Sequence, residues 1–428
     1  MASPTSKRRC PMYLDELIKF HKQGDPRGIP SICSAHPVVL SAAMQIPTDA
    51  LLIEATCNQV NQFGGYTNRT PEDFIRFINE IAETNNFPRK NLILGGDHLG
   101  PSVWQGDVED SAMDKARELI RDYVKAGFKK IHLDCSMSLA DDPVGPLDLN
   151  TSAQRSACLA KIAEEFGDGD LRYVIGTEVP LPGGATEYED GVSVTKVSDL
   201  WQTIECTQNA FRKEGLDPAW ERVIAVVVQP GVEYGDDFVI PYDPDKAKDL
   251  SKFIESQPLV YEAHSTDYQT REALRSLVND HFAILKVGPA VTFAFREAIF
   301  GLAMIESEIL PSRDHSKIIS VLDQVMIENP VYWKDYYKGS NEEIAEKRKL
   351  SLSDRIRYYW TNPLVQQALE KMVNSLANMT IPSELIQKYL PEIRQEVEIS
   401  NEQGLISPVQ IMHVKIKKVL IDYNQACF

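Results

Sequence analysis

The sequence predicts a closed (β/α)8 barrel followed by an all-helical region. Three observations predict it. Eight short β-branched apolar runs lie between residues 30 and 310, a stretch of helical length follows each, and the strand signal stops after Leu310-Pro311. Eight alternating units over ~280 residues agree with such a barrel in both count and length. An open doubly wound sheet fits less well, because it needs fewer units and usually a glycine-rich turn after its first strand. The chain has Ser34-Ala35-His36-Pro37 there.

In chain order the runs are Ser31-Ile32-Cys33, Leu51-Leu52-Ile53, Leu92-Ile93-Leu94, Lys130-Ile131-His132-Leu133, Tyr173-Val174-Ile175, residues 223–228, Leu259-Val260-Tyr261 and Ala283-Ile284-Leu285. Unbroken apolar runs such as residues 224–228 suit strands covered on both faces, as in a parallel sheet. Thr70-Pro71-Glu72-Asp73 places an N-cap, a proline and two acids at a helix start, and Asp243-Pro244-Asp245 repeats that grammar. Beyond residue 310, Leu364, Val365, Ala368, Leu369, Met372, Val373 and Leu376 recur at helical spacing. Ser407-Pro408 opens a last helix carrying Ile411, Met412, Lys415 and Val419. The expected division is a barrel with a short N-terminal helix over residues 1–310 and a helical region packed on it over residues 311–428.

The 428 residues include 45 Lys plus Arg against 62 Asp plus Glu, a formal charge of −17. That excess argues against nucleic acid and anionic membrane as partners, since both are bound by basic surface. No apolar run approaches the ~20 residues a membrane crossing needs. Residues 1–10 contain Lys7-Arg8-Arg9 without a following apolar segment, so no signal peptide is expected. The seven cysteines (Cys10, Cys33, Cys57, Cys135, Cys158, Cys206 and Cys427) are scattered, odd in number and free of C-x-x-C pairs. This suits a reducing, cytoplasmic setting and excludes a zinc ribbon.

A barrel presents its chemistry at the carboxyl ends of its strands. There the chain carries His36, Glu54, Asp97 with His98, Asp134, Glu178, Gln229, Glu262 with His264, and Lys286. Gly95-Gly96-Asp97-His98 is the sharpest motif: the glycines allow close backbone approach to a ligand, and the pair supplies a proton-transfer group and an imidazole. Tyr261-Glu262-Ala263-His264-Ser265-Thr266-Asp267 adds a second imidazole and two hydroxyls that open or cap a helix. Lys286-Val287-Gly288-Pro289-Ala290 places a glycine before a helix where many barrels hold phosphate, a simple turn being the equal alternative. His132 shares a face with Asp134 by the period-two rule, but a lone strand histidine reads as packed core. Cys57 and Cys135 read as small buried residues rather than nucleophiles.

These motifs carry a resemblance. Ile53-Glu54-Ala55-Thr56, the run from Asn58-Gln59-Val60-Asn61 to Thr67, Gly95 to Pro101, Gly176 to Pro180, Val228-Gln229-Pro230-Gly231-Val232-Glu233, Tyr261 to Asp267 and Ser351 to Trp360 resemble the GatZ/KbaZ family of D-tagatose-1,6-bisphosphate aldolase subunits, over residues 12–425. The resemblance implies kinship with class II aldolases, which use a divalent metal as the electron sink for C3–C4 cleavage. It implies Asp97 as acid/base and His98 and His264 as metal ligands. Gln229 stands where catalytic class II aldolases have a further histidine, and Glu178 could complete the site. Zn²⁺ is the first expectation for the ion and Mn²⁺ the second.

Three functions follow from the resemblance. The first is a customarily non-catalytic subunit that works with a separate catalytic aldolase subunit in tagatose, galactitol and N-acetylgalactosamine breakdown. The second is a stand-alone metal-dependent ketose or ketose-phosphate 4-epimerase. The third is a sugar-phosphate binding or kinase-like protein, against which stands the absence of a G-x-x-x-x-G-K-[ST] loop. Asp97, Asp134 and Glu178 are the expected catalytic groups, and His98, His264 and Glu178 the expected metal ligands. Glu54, Gln59, Asn61, Gln229, Ser265, Thr266, Lys286 and Gly288 are expected around a ketose or ketose phosphate. Arg355 and Arg357 read first as structural ion pairs and second as phosphate ligands. A homo-oligomer is expected.

Overall fold

Apolar runs without a polar face need cover on both sides, and all eight find it in one closed parallel barrel. The computed structural model describes residues 11–176, 192–377, 379–401 and 406–428. Its barrel strands are β1 (Ile29–Ile32), β2 (Leu51–Thr56), β3 (Leu92–Leu99), β4 (Lys130–Leu133), β5 (Arg172–Ile175), β6 (Val223–Val227), β7 (Val260–Ala263) and β8 (Phe282–Val287). They pair in chain order, and β8 returns to β1 with Ser31 opposite Lys286 and Ile32 opposite Val287. The expected (β/α)8 architecture is therefore the one observed.

Helices α1 (Pro11–Lys22), α2 (Pro37–Met44), α3 (Pro71–Thr84), α4 (Glu109–Ala126), α5 (Leu149–Phe166), α6 (Val197–Lys213), α7 (Pro244–Ile254), α8 (Arg271–Asn279) and α9 (Pro289–Ile309) precede or join these strands. The cap signals act as read. The Thr70 side chain accepts from Asp73 N while the Asp73 side chain accepts from Thr70 N, and Asp243 accepts from Asp245 N. Helix α1 closes the amino-terminal mouth: Leu14 and Leu17 join Leu52, Ile93, Val174, Ala225 and Val260 in an apolar cluster.

After α9 the described chain is helical: α10 (Ile318–Glu328), α11 (Asn341–Leu350), α12 (Pro363–Leu376), α13 (Ser383–Tyr389), α14 (Arg394–Asn401) and α15 (Pro408–Cys427). The region is more than an outer layer on the barrel. Helix α15 lies against β1 between α8 and α2, the place in the ring that the helix after β8 ordinarily fills, with α9 packed over it. Gly28 N donates to Cys427 O at 2.9 Å, Arg271 pairs with Asp422 at 2.7 Å, and Gln45 Nε2 meets His413 Nδ1 at 2.9 Å. No described helix is long and apolar enough to cross a membrane.

Candidate metal centre and ligand cavity

Alternation along a strand sends neighbouring side chains to opposite faces, so Asp97 and His98 should not both face inward. A bulge resolves this. Between Gly96 and Leu99 the register of β3 against β4 gains one residue, and His98 takes a left-handed φ of 46°. Both side chains then line a cavity of about 100 Å³ at the carboxyl end of the barrel, with His264, Ser265, Lys286 and Gln59 also in its wall. Ser265, directly after His264, also has a positive φ of 51°. Such strain in non-glycine residues is characteristic of functional sites.

Beneath the cavity lies a buried ionic layer. Lys130 Nζ contacts Glu54 and sits 2.7 Å from Glu262 Oε2, and all three side chains are fully buried. Lys286 Nζ is 3.0 Å from Glu54 Oε2 and also contacts Asp97. Burial opposes charge on both lysines, but the carboxylates outweigh it and raise the pKa of each. Burial likewise opposes ionisation of Asp97, yet His98 and Lys286 beside it hold its carboxyl well below the usual range.

Above this layer three imidazoles converge. Ring centroids of His98 lie 4.9 Å from His132 and 4.8 Å from His264, and His132 is 5.3 Å from His264. One donor atom from each of these, with one Asp97 oxygen, falls within a mutual 4.8 Å, a set that can hold a metal ion. His98 Nδ1 donates to Asp134 Oδ2 at 2.7 Å, which directs the Nε2 lone pair away from Asp134. A carboxylate behind a histidine in this way is the usual support of a metal-binding imidazole. His264 donates from Nε2 to Glu262 Oε1 at 3.0 Å; burial, then Lys286, pushes its pKa down to about 3, so it is neutral and competent as a ligand.

Charge balance points the same way. Among the described residues, Glu54, Asp97, Asp134 and Glu262 are buried around Lys130 and Lys286, an excess of two carboxylates while the imidazoles are neutral, and against its burial Asp97 and Asp134 raise the pKa of His98 between them. Uncompensated charge in a barrel interior is costly, and a divalent cation cancels this excess. The residues fit such an ion.

Several expectations are corrected. His132, read as core, is a member of the cluster: its Nε2 donates to Gly176 O and its Nδ1 lies 2.9 Å from Asp97 Oδ1. Its place two residues before Asp134 on one strand face was the available signal. Gly95 and Gly96 do not bring backbone to a ligand. A Cβ on Gly95 would lie 2.6 Å from Glu54 Oε1, and one on Gly96 would meet Leu99 and Tyr123, so the glycines make room for buried side chains. Asp134 backs His98 and Glu54 lies below the cavity, so neither is in its wall.

Gln229 and Asn61 hold loops. Gln229 Oε1 accepts from Gly231 N and Val232 N, and Asn61 Oδ1 accepts from Phe63 N and Gly65 N. Thr266 is fully buried and donates to Lys286 O at 2.6 Å. Neither it nor Ser265 opens a helix, since α8 begins at Arg271 with the Thr270 side chain as its cap. Gly288 does line the cavity, but its N–H and that of Ala290 donate to Asp267 Oδ1 at 3.0 and 2.8 Å. A carboxylate of the chain itself occupies the place expected for phosphate. Arg355 is buried against Tyr336, whereas Arg357 lines the cavity. Cys57 and Cys135 are buried thiols, each pushed up to about 12 chiefly by burial. Glu178 lies outside the described residues.

Comparison with known proteins agrees with the motifs. Residues 14–428 match the family model described as D-tagatose-1,6-bisphosphate aldolase subunit GatZ/KbaZ-like. The chain is 50% identical over 421 residues to the D-tagatose-1,6-bisphosphate aldolase subunit GatZ of Klebsiella pneumoniae, covering 97% of this chain and 99% of that protein. It is 49% identical over 423 residues to the subunit of the same name from Salmonella dublin, again over 97% and 99%. A crystal structure described as a probable tagatose 6 phosphate kinase from Sinorhizobium meliloti 1021 superimposes with a TM-score of 0.85 at 44% identity, covering 94% of this chain and all of that one.

Proposed function

From the fact that this chain belongs to the GatZ/KbaZ-like family, we propose that it is a subunit of a class II D-tagatose-1,6-bisphosphate aldolase acting in tagatose and galactitol breakdown. The observation that carries this reading is end-to-end identity near 50% with proteins named as that subunit. Such a subunit works with a separate catalytic chain, the partner we propose here. The kinase description of the Sinorhizobium meliloti structure finds no support in this sequence, which has no G-x-x-x-x-G-K-[ST] loop.

In this reading His98 and His264 hold a divalent ion, Zn²⁺ or Mn²⁺, with His132 and Asp97 as the neighbouring donors and Glu178 as a proposed further ligand. When bound, the ion supplies Lewis-acid polarisation of a ketose carbonyl. Asp134 orients His98, while Gln59 and Ser265 face the sugar from the cavity wall. Asp97 is the group placed to accept a hydroxyl proton, but the Lys286 ammonium in contact with it holds it as a fixed anion. That engagement weakens it as a base and supports a subunit role over independent catalysis.

The test is cleavage of D-tagatose 1,6-bisphosphate by the purified chain alone, by a catalytic class II aldolase subunit alone, and by the two mixed. Activity or lifetime of the catalytic subunit is expected to rise in the mixture. Absence of any effect, together with metal-dependent interconversion of fructose-type and tagatose-type ketoses by the isolated chain, replaces this reading with a 4-epimerase.

A further inference from the structure

A second cavity of about 320 Å³ adjoins the first and shares Cys33, Gln59, Tyr66 and Arg357 with it. Arg69 also lines this chamber. The chain is strongly acidic, and the buried Arg155, Arg296 and Arg348 pair with Asp142, Asp354 and Asp323. Arg69 and Arg357 differ. The Arg69 guanidinium lies over the Phe77 ring, 3.9 Å from its centroid. Arg357 donates to the Ser353 and Asp354 carbonyls and to the Tyr358 hydroxyl. Neither is paired with a carboxylate among the described residues.

Two further polar atoms around this chamber lack partners among the described residues. The Trp360 side chain is 2% exposed with its indole N–H unpaired, and His36 Nδ1 is buried and unpaired. A buried polar group left unsatisfied costs about 1–3 kcal/mol, so the packing beside this chamber is not optimised for stability alone. The amino terminus of α9, where a barrel ordinarily binds phosphate, is meanwhile closed by the Asp267 carboxylate.

We infer that the phosphate group of a sugar-phosphate ligand sits in this second chamber between Arg69 and Arg357, not at the amino terminus of α9. The small first cavity then receives the carbonyl and hydroxyl end beside His98 and His264, and the arm bearing the phosphate passes Tyr66 and Gln59. Guanidinium groups suit a phosphate dianion because each offers paired N–H donors to its oxygens. The inference deepens the proposed function and rests on its sugar-phosphate substrate.

The experiment is calorimetric titration of the full chain with inorganic phosphate and with D-fructose 6-phosphate at constant ionic strength. Both are expected to bind, the ester more tightly. Arg357→Gln and Arg69→Gln are each expected to weaken both by about tenfold. Arg313→Gln, which removes an equal charge from an 85% exposed side chain, leaves affinity unchanged. Arg69 is only half-buried, so its variant serves if Arg357→Gln does not fold. Unchanged affinity in the folded arginine variants, equal affinity for ester and free phosphate, or no phosphate binding by the parent chain overturns the inference. Arginine-dependent binding in a chain that fails to assist a catalytic aldolase subunit rejects the functional reading alone.

Discussion

Toward α1 the barrel interior is filled by Leu52, Ile93, Val174, Ala225 and Val260 over Leu14 and Leu17, whereas from Lys130 upward it holds lysines, carboxylates and imidazoles at equal burial. The strands are the same; only the side chains at successive inward positions change. The apolar half is stabilised by removing side chains from water, and each residue contributes nearly alone. The ionic half is tolerated only as a set, since any one member removed leaves a net charge buried among the rest. The difference teaches that function in this barrel is stacked on a self-sufficient base.

The comparison can be broken most severely at Lys130. Lys130→Met leaves Glu54 and Glu262 to share the Lys286 ammonium, and chemical denaturation is expected to show a loss of about 3–5 kcal/mol. A loss below ~1 kcal/mol would show that the layer is not interdependent. Leu52→Ala probes the other half: a loss of about 2–4 kcal/mol is expected, with metal content by elemental analysis unchanged. A smaller effect belongs to the support of His98. Asp134→Asn is expected to weaken metal affinity about 10–100-fold in a chelator competition, while His98→Ala removes binding. Equal metal content in the parent chain and His98→Ala would dissolve the proposed centre.

The smallest effect sharpens the comparison through pH. Burial raises the Asp267 carboxyl to about 6, against the partial relief of the Ala290 and Gly288 N–H groups. An acid with a raised folded pKa binds its proton more tightly folded than unfolded. Its contribution to stability is therefore complete below about pH 4 and lost as the pH rises through about 6. The parent chain should fall relative to Asp267→Asn by about 2 kcal/mol between pH 4 and 7 and stay level beyond. A constant difference across that range in urea titrations would contradict the assignment.

All eight strands were legible, because doubly covered strands write unbroken apolar runs into the chain. Helix starts at Thr70 and Asp243 were equally plain, since a cap is decided within four residues. His98 and His264 were legible as strand-end imidazoles. What escaped depended on pairing between distant segments. His132 joins the site through Asp97 on the neighbouring strand, and the bulge that turns both Asp97 and His98 inward exists only in the register of β3 against β4. Asp267 sat in a recognised motif, yet its capture of the α9 amino terminus requires β7 and β8 side by side. The loop-holding bonds of Gln229 and Asn61 escaped as well, because an amide that ties its own loop looks the same in sequence as one that binds hydroxyls.

Helix α15 has a consequence for how the molecule is made. A ribosome completes β8 roughly 120 residues before this helix emerges, so for several seconds of synthesis β1 and β8 face water along one seam. The nascent chain therefore travels with an open stave, vulnerable to proteases and chaperones, until α15 shuts the cask.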